Sequence, residues 1–259
     1  MRGAVLELVR LAWVAAAALL PAPAVWAQVQ PQPQPQPQLQ LPPLVGAGAV
    51  GAGWRVANLP EQKSPATRYG AETVGGRTAL RLEAQGSYGN LLHTPPGAVA
   101  PARLQWAWRV EQPNPGTDVR SKPGDDVAAK VCLSFELPLA QVPFGERTLL
   151  RLARSRTGQN LPAATLCWVW GGPEAAGSFV DNAFSRRVRY VVLRTVADAS
   201  GTWFEESRDI AADFRRAFGD EWPATNAALP PLTAVLVGAD ADNTGARSLA
   251  YLADLRFAP

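Results

Sequence analysis

Short segments in which apolar and polar residues alternate follow one another from Trp54 to the end of the chain, separated by glycine or proline. Alternation of this kind puts successive side chains on opposite faces of an extended strand, so each segment predicts a β-strand. In the clearest case, residues 104–110, one face carries Leu104, Trp106, Trp108 and Val110. The pattern therefore restricts the chain to a fold built mainly from β-strands.

The predicted strands form a long series that contains two hairpin signals. Gly75 and Gly76 permit the backbone of a tight turn, and residues 199–201 (Ala-Ser-Gly) predict a second hairpin. The strands cover residues 54–59, 67–74, 77–84, 87–93, 104–110, 126–136, 164–171, 186–197, 202–210, 231–239 and 248–257.

Helical patterns are few. Residues 210–219 predict a short helix that Asp209 caps and Gly219 ends, and residues 145–155 are helical or irregular. Because helices do not alternate with strands, we expect an all-β fold, an antiparallel β-sandwich of jelly-roll type with one or two short helices. Residues 46–259 have a suitable length for one such domain.

The first 27 residues have the features of a secretory signal peptide. Arg2 and Arg10 make the start basic, and the segment ends in the small residue Ala27. Its apolar run is shorter than the roughly 20 residues that span a bilayer, although an uncleaved anchor is the alternative. We expect a periplasmic or otherwise exported protein that begins at Gln28, with the Gln/Pro repeat of residues 28–45 as a semi-rigid spacer.

The charge of the chain argues against one class of partner. Lys and Arg number 25, Asp and Glu number 22, and the two signs are interspersed along the sequence. A nucleic-acid-binding surface needs a concentrated basic patch. We therefore expect no nucleic-acid partner, and no transmembrane segment once the signal peptide is removed.

Cys132 and Cys167 both lie in predicted strands. In an oxidising compartment, two cysteines on paired strands can form a disulfide, and their Cα atoms must then lie within about 7 Å of each other. Two buried free thiols or a metal pair are the alternatives, although nothing near the two cysteines has metal-ligand spacing.

Two acidic segments form the candidate binding site. Asp125 and Asp126 stand at the start of strand 126–136, and the segment DADNTG follows strand 231–239. If these strands pair antiparallel, both segments lie at one edge, where the carboxylates need a cation or basic side chains to neutralise them. The expected binding residues are Arg120, Asp125, Asp126, Lys130, Asp240, Asp242 and Asn243.

Two kinds of chemistry fit these residues. Asp240 and Asp242 have the D-x-D-x-x-G opening of a calcium loop, but Tyr251 stands where an EF-hand needs a bidentate Glu. A looser Ca²⁺ site is one interpretation. The interpretation that we favour is an acidic network bridged by Arg120 or Lys130, without a cofactor.

Few residues suit catalysis by common routes, and we assign no catalytic residue. The only histidine, His93, stands just before two prolines, without a nucleophile motif around it. Trp203 and Trp222 lie near turns and are the better candidates for exposed aromatic rings. The tryptophans expected in the core are Trp106, Trp108, Trp168 and Trp170.

Five short motifs stand in order along the chain: WAWRV, GDDVAAKV, WVWG, RDI and DADNTG. Together they resemble a family of exported bacterial proteins known only as a domain of unknown function. The resemblance implies export and assigns no activity. Cys132 and Cys167 stand where the family pattern leads us to expect aromatic or aliphatic residues, so a bridge between them would be peculiar to this chain.

Three functions are compatible with the sequence. The leading hypothesis is a non-catalytic exported module that binds a saccharide or a cell-envelope polymer. One alternative is a glycoside hydrolase or lyase, and a hydrolase needs two carboxylates roughly 5–10 Å apart across a cleft. The other is a structural protein of the envelope. The lack of a nucleophile–base arrangement favours a binder over an enzyme without deciding the question.

Overall fold

Two β-sheets stacked face to face form the centre of the computed structural model, which describes residues 39–96, 100–223, 225 and 228–259. In chain order the strands are β1 (Val45–Gly46), β2 (Ala49–Val50), β3 (Arg55–Ala57), β4 (Arg68–Val74), β5 (Arg77–Gln85), β6 (Tyr88–His93), β7 (Arg103–Gln112), β8 (Ala129–Phe135), β9 (Ala164–Trp170), β10 (Phe179–Asp181), β11 (Val188–Arg194), β12 (Phe204–Asp209), β13 (Leu232–Asp240) and β14 (Arg247–Ala258). The helices are α1 (Phe144–Thr157) and α2 (Ile210–Phe218), with a 3-10 turn at Lys122–Gly124. The all-β sandwich with two short helices is therefore confirmed.

The larger sheet has seven strands in the order β10-β11-β9-β8-β13-β6-β3, and the smaller has five in the order β12-β7-β14-β5-β4. β1 and β2 form a separate small hairpin. One of the named strand pairs departs from the expected antiparallel arrangement, because β9 and β11 run parallel. Parallel neighbours need a long return connection, and residues 171–187, which contain β10, supply it.

Four tryptophans fill the space between the sheets. Trp106 on β7 packs against Trp168 on β9 with ring centroids 5.6 Å apart, and Trp108 packs against Trp170 at 5.7 Å. None of the four is more than 1% exposed. Large aromatic side chains bury much apolar surface, so these rings join the two sheets, and their predicted place in the core is confirmed.

One predicted hairpin is present and the other is wrong. β4 and β5 pair antiparallel around Gly75 and Gly76, as expected. In contrast, β11 belongs to the larger sheet, while β12 pairs with β7 in the smaller one. The turn at Gly201 (φ +74°) therefore carries the chain from one sheet to the other. A glycine turn permits a change of direction without specifying the strand that pairs next.

The second helix closes the core beside β8. The Asp209 side chain accepts a hydrogen bond from Ala212 N at 2.8 Å and caps α2, as predicted. The helix buries Phe214 and Phe218, four residues apart, and the Phe214 ring lies 4.7 Å from that of Phe135. No helix in the described part of the chain is long and apolar enough to cross a membrane.

The last residues of the predicted spacer contact the sandwich. Leu44 is buried, and Trp54 Nε1 donates a hydrogen bond to the carbonyl oxygen of Pro42 at 3.2 Å. The predicted signal peptide, its cleavage at Gln28 and the spacer up to residue 38 lie outside the described residues.

Candidate functional site

The two acidic segments meet at one edge of the larger sheet. β8 and β13 pair antiparallel with Gly238 opposite Lys130, so the start of β8 lies beside the end of β13. Asp240, the last residue of β13, accepts a hydrogen bond from Val127 N at 2.7 Å. The loop before β8 is thereby attached to the strand that ends at Asp240.

Lys130 neutralises Asp240. Its ammonium group forms a short ion pair with the carboxylate and lies 4.9 Å from the centre of the Tyr88 ring. Both charged residues are at most 5% exposed. Of the two basic residues that the sequence offered, Lys130 is the one that forms an ion pair with a predicted site carboxylate, whereas Arg120 pairs with Glu174.

Asp126 holds the turn that follows Asp240. One carboxylate oxygen accepts from the backbone and side-chain nitrogens of Asn243, and the other accepts from Thr244 N at 2.7 Å and Thr244 Oγ1 at 2.6 Å. The Asn243 amide also donates to the carbonyl oxygen of Asp125. Asp126 is fully buried, so these bonds satisfy a carboxylate that water cannot reach.

Asp125 points to partners that sequence reasoning missed. Its carboxylate accepts from Asn182 Nδ2 at 2.5 Å and from the Tyr190 hydroxyl at 3.1 Å. Asn182 follows β10 and also accepts two backbone N–H groups of the next turn, which is a signal that the DNAFS sequence carries. We call the following set the polar cluster: Tyr88, Asp125, Asp126, Lys130, Asn182, Tyr190, Asp240 and Asn243.

Burial dominates the electrostatics of the polar cluster. It raises the pKa of Asp240 to about 6, although Lys130 acts to lower it. Burial also raises the pKa of Asp125 and, together with the charges of Asp125 and Asp240, that of Tyr190. For Lys130, burial disfavours the charge, but the Asp240 carboxylate outweighs it and leaves the pKa of Lys130 raised. The lysine therefore stays charged.

Two predicted site residues lie at the margin of the polar cluster. Arg120 has a largely exposed side chain and forms an ion pair of 3.5 Å with Glu174. Asp242 is partly buried, and its Oδ1 has no hydrogen-bond partner among the described residues. Burial, followed by the charge of Asp126, raises the pKa of Asp242.

Of the two carboxylates predicted to bind calcium, that of Asp240 is engaged within the protein, whereas Asp242 Oδ1 has no hydrogen-bond partner among the described residues. Asp240 uses its oxygens for Lys130 and Val127 N. No group of three or more His, Cys, Asp or Glu side chains in the described ranges is arranged to hold a metal ion. Calcium binding at Asp240 and Asp242 stays a prediction.

A disulfide lies beside the polar cluster on the outer side of the larger sheet. Cys132 on β8 and Cys167 on β9 face each other directly and form the bridge, with a Cα–Cα distance of 4.0 Å. They pack with Val119 and Val127 from the loop between β7 and β8. This loop therefore covers part of the outer side of the larger sheet.

The outer side of the smaller sheet is different, because charged and aromatic side chains lie across it in rows. Arg81, Tyr251 and Arg109 stand opposite one another on β5, β14 and β7. The buried alanines Ala79 and Ala253 lie beside Tyr251. We call this surface the arginine-rich face; its residues are Glu72, Arg77, Arg81, Glu83, Arg109, Glu111, Trp203, Glu205 and Tyr251.

Trp203 lies at one end of the arginine-rich face, just before β12. The guanidinium of Arg77 lies 4.9 Å from the centre of its ring and also forms an ion pair of 2.8 Å with Glu205. A Cβ at Gly75 would lie 3.4 Å from Trp203 Nε1, so the hairpin backbone closely approaches the indole. Trp222, the other predicted candidate, instead donates to the carbonyl oxygen of Ala228 at 3.1 Å.

The single histidine is engaged in a structural contact. His93 Nδ1 lies 2.9 Å from the carbonyl oxygen of Gly53, and its ring packs on Trp54 with centroids 5.5 Å apart. These contacts connect the end of β6 to the turn before β3.

Two solved structures are similar to this chain. One is a mutant of a carbohydrate binding module of family 29, with a TM-score of 0.34 and 10% sequence identity over 84% of this chain and 89% of that chain. The other is the K2 cleaved adhesin domain of Lys-gingipain, with a TM-score of 0.34 and 8% identity over 85% of this chain and 98% of that one. A comparison with curated proteins gives no match.

The family resemblance noted from the motifs is confirmed by a match over most of the chain. Residues 52–256 match the model of a family described as a protein of unknown function, DUF3047. The match includes both acidic segments, both cysteines and all strands of the two large sheets except the last two residues of β14. The chain therefore belongs to the DUF3047 family.

Proposed function

We propose that this chain is an exported, non-catalytic binding module whose ligand is a saccharide or another cell-envelope polymer. The observation that carries the proposal is the arginine-rich face, a regular array of hydrogen-bond donors, acceptors and aromatic rings on one side of a rigid sheet. Binding groups held on strands are positioned more accurately than groups on loops.

The chemistry of this face suits a polyhydroxylated ligand. Sugar hydroxyls both donate and accept hydrogen bonds, and adjacent Arg and Glu side chains supply both partners. Arg109 and Glu111 are such a pair, 2.5 Å apart, and each side chain is partly exposed. The half-buried Trp203 adds an aromatic ring on the same face, whereas Tyr251 is buried beneath the charged side chains. Among the described residues, the apolar cluster on this face consists of side chains from β4, β5 and β14 together with Trp203.

Two observations support export. The disulfide between Cys132 and Cys167 is typical of an oxidising compartment, and the first 27 residues have a signal-peptide pattern. We propose the periplasm as the destination. Mass spectrometry of periplasmic extracts tests this, since the exported chain should begin at Gln28; an intact Met1 start there would contradict it.

Binding is favoured over hydrolysis because the buried carboxylates are already engaged. Asp126 accepts four hydrogen bonds from the turn it holds, and Asp240 is paired with Lys130. A hydrolase needs one carboxyl free to protonate the leaving group and a second free to act as base or nucleophile. The polar cluster is better suited to holding the loop before β8 in place. That its residues also bind a ligand stays a prediction.

A glycan array probed with the purified protein tests the proposal. We expect binding to a subset of envelope saccharides, and Arg109→Ala should weaken it by roughly tenfold or more because it removes a partly exposed Arg–Glu pair from the face. Arg55→Ala, at an exposed position of the other sheet, is the matched control. Unchanged ligands should be recovered by mass spectrometry. Cleaved glycans would favour the hydrolase. No binding to any glycan would overturn the saccharide ligand, and no binding to isolated envelope polymers either would overturn the proposal as a whole.

A further inference from the structure

Helix α1 leaves most of its surface outside the core. Leu150 is its one buried residue, whereas Phe144, Leu149 and Leu152 are 77%, 62% and 45% exposed. Among the described residues, these are three of the seven large hydrophobic side chains that are exposed. Exposed apolar residues gathered on one short element mark an interaction surface more strongly than scattered ones do.

The same helix concentrates positive charge. Arg147, Arg151 and Arg156 form no ion pair with an acidic residue in the part of the chain that the structure describes. Glu146, the helix's one acidic residue, is turned toward Arg187 at 3.4 Å. The outward surface of α1 therefore combines the exposed Arg151 and Arg156 with three exposed apolar side chains, and the half-buried Arg147 lies 5.6 Å from the centre of the Phe144 ring.

The contacts that attach α1 to the sandwich determine which side of the helix faces outward. Besides Leu150, the helix is held by Arg154, whose guanidinium donates twice to the carbonyl oxygen of Leu161 at 2.8 and 2.6 Å. Residues three, four and seven apart share a side of a helix, so Leu149, Leu152 and Arg156 lie together, turned away from Leu150. Gly158, at φ +65°, ends the helix.

We propose that α1 docks the protein on an anionic lipid surface. Leu149, Leu152 and Phe144 enter the boundary between headgroups and acyl chains, and the arginines pair with headgroup phosphates. Interfacial helices combine these two features, an apolar side and arginines or lysines beside it, and bind by buried area plus attraction to anionic lipid. The unpaired arginines are the reason to choose an anionic bilayer over an apolar protein groove.

Co-sedimentation of the purified full chain with vesicles tests the proposal. We expect binding to vesicles of phosphatidylglycerol and phosphatidylcholine, little binding to phosphatidylcholine alone, and a loss of binding at high salt. The double variant Leu149→Ser/Leu152→Ser and the double variant Arg151→Glu/Arg156→Glu should each weaken partitioning by roughly tenfold or more. All four positions are exposed, so circular dichroism should show an unchanged fold.

The chain offers matched controls for both changes. Leu59→Ser removes an exposed leucine elsewhere, and Arg55→Glu reverses a charge on β3; both should bind vesicles as the wild type does. Equal binding to both kinds of vesicle, or helix variants that bind normally, would overturn the proposal. So would self-association of the wild type in ultracentrifugation that Leu149→Ser/Leu152→Ser abolishes, because a second copy would then cover the helix. Glycan binding by the helix variants should be unchanged, which separates this proposal from the saccharide one.

Discussion

At the scale of single residues, Lys130 brings a positive charge into the polar cluster. Asp240 is its ion-pair partner, and only 5% of the lysine is exposed. Desolvating each ion costs several kcal/mol, which offsets most of the attraction within a buried pair. Removing one partner is nevertheless strongly destabilising, because the other charge then stays buried and unpaired. The polar cluster therefore depends on keeping both charges together.

We predict that Lys130→Met lowers the free energy of unfolding by about 3–5 kcal/mol, because the Asp240 carboxylate then stays buried without its partner. Adding Asp240→Asn should recover part of this loss, since the amide carries no charge and still accepts from Val127 N. Urea denaturation followed by tryptophan fluorescence measures both variants.

Lys63→Met is the control for the loss of a lysine charge. Lys63 is exposed and forms no ion pair within the described ranges, so we expect no change in stability. If the double variant is as unstable as Lys130→Met alone, the unpaired charge of Asp240 is not the source of the loss.

At the scale of elements, arginines from three neighbouring strands converge on one carboxylate of the smaller sheet. Glu83 on β5 forms ion pairs of 2.6–2.8 Å with Arg68, Arg81 and Arg247. Hydrogen bonds from Arg68, then Arg81, lower the pKa of Glu83 to about 2. The carboxylate thus connects β4, β5 and β14 side by side.

We predict that Glu83 makes stability fall in acid. A carboxyl whose pKa is lower in the folded state binds its proton more readily in the unfolded chain, so its contribution is complete above pH 4.5 and is lost as pH falls toward 2. Glu83→Gln should therefore melt at a lower temperature than the wild type at neutral pH, and the difference should shrink between pH 4.5 and 2.

Glu61→Gln is the control, because Glu61 is exposed and forms no ion pair among the described residues. Its melting temperature should follow that of the wild type at every pH. A difference between Glu83→Gln and the wild type that stays constant over the whole range would contradict the role of ionised Glu83.

At the scale of the whole molecule, the fold brings together residues 110 positions apart, Lys130 and Asp240. Protein groups hold the oxygens of Asp240 and Asp126, so we expect neither EDTA nor added calcium to change the melting temperature of the wild type. Asp240→Ala combined with Asp242→Ala should lower it, because Lys130 loses its partner. A calcium-dependent rise in melting temperature that EDTA reverses would instead support the calcium site.

Local patterns were sufficient for the longer strands and for much of the core, but they missed the short strands β1, β2 and β10. The alternation that places Trp106 and Trp108 inside is a property of neighbouring residues, as is the cap that Asp209 provides. The pattern failed in β14, where a bulge places Asp254 at φ +55° and shifts the register. Leu255 therefore packs in the core, although simple alternation puts it on the side of Tyr251.

The all-β class, the four core tryptophans and the two strands that carry the acidic segments can all be predicted from neighbouring residues. Contacts between distant segments place β11 and β12 in different sheets and bring Tyr190 and Asn182 to Asp125. The difference lies in the separation along the sequence of the residues that interact. Side-chain direction and turn preference depend on the nearest residues, whereas strand pairing depends on surfaces that distant segments bury against each other.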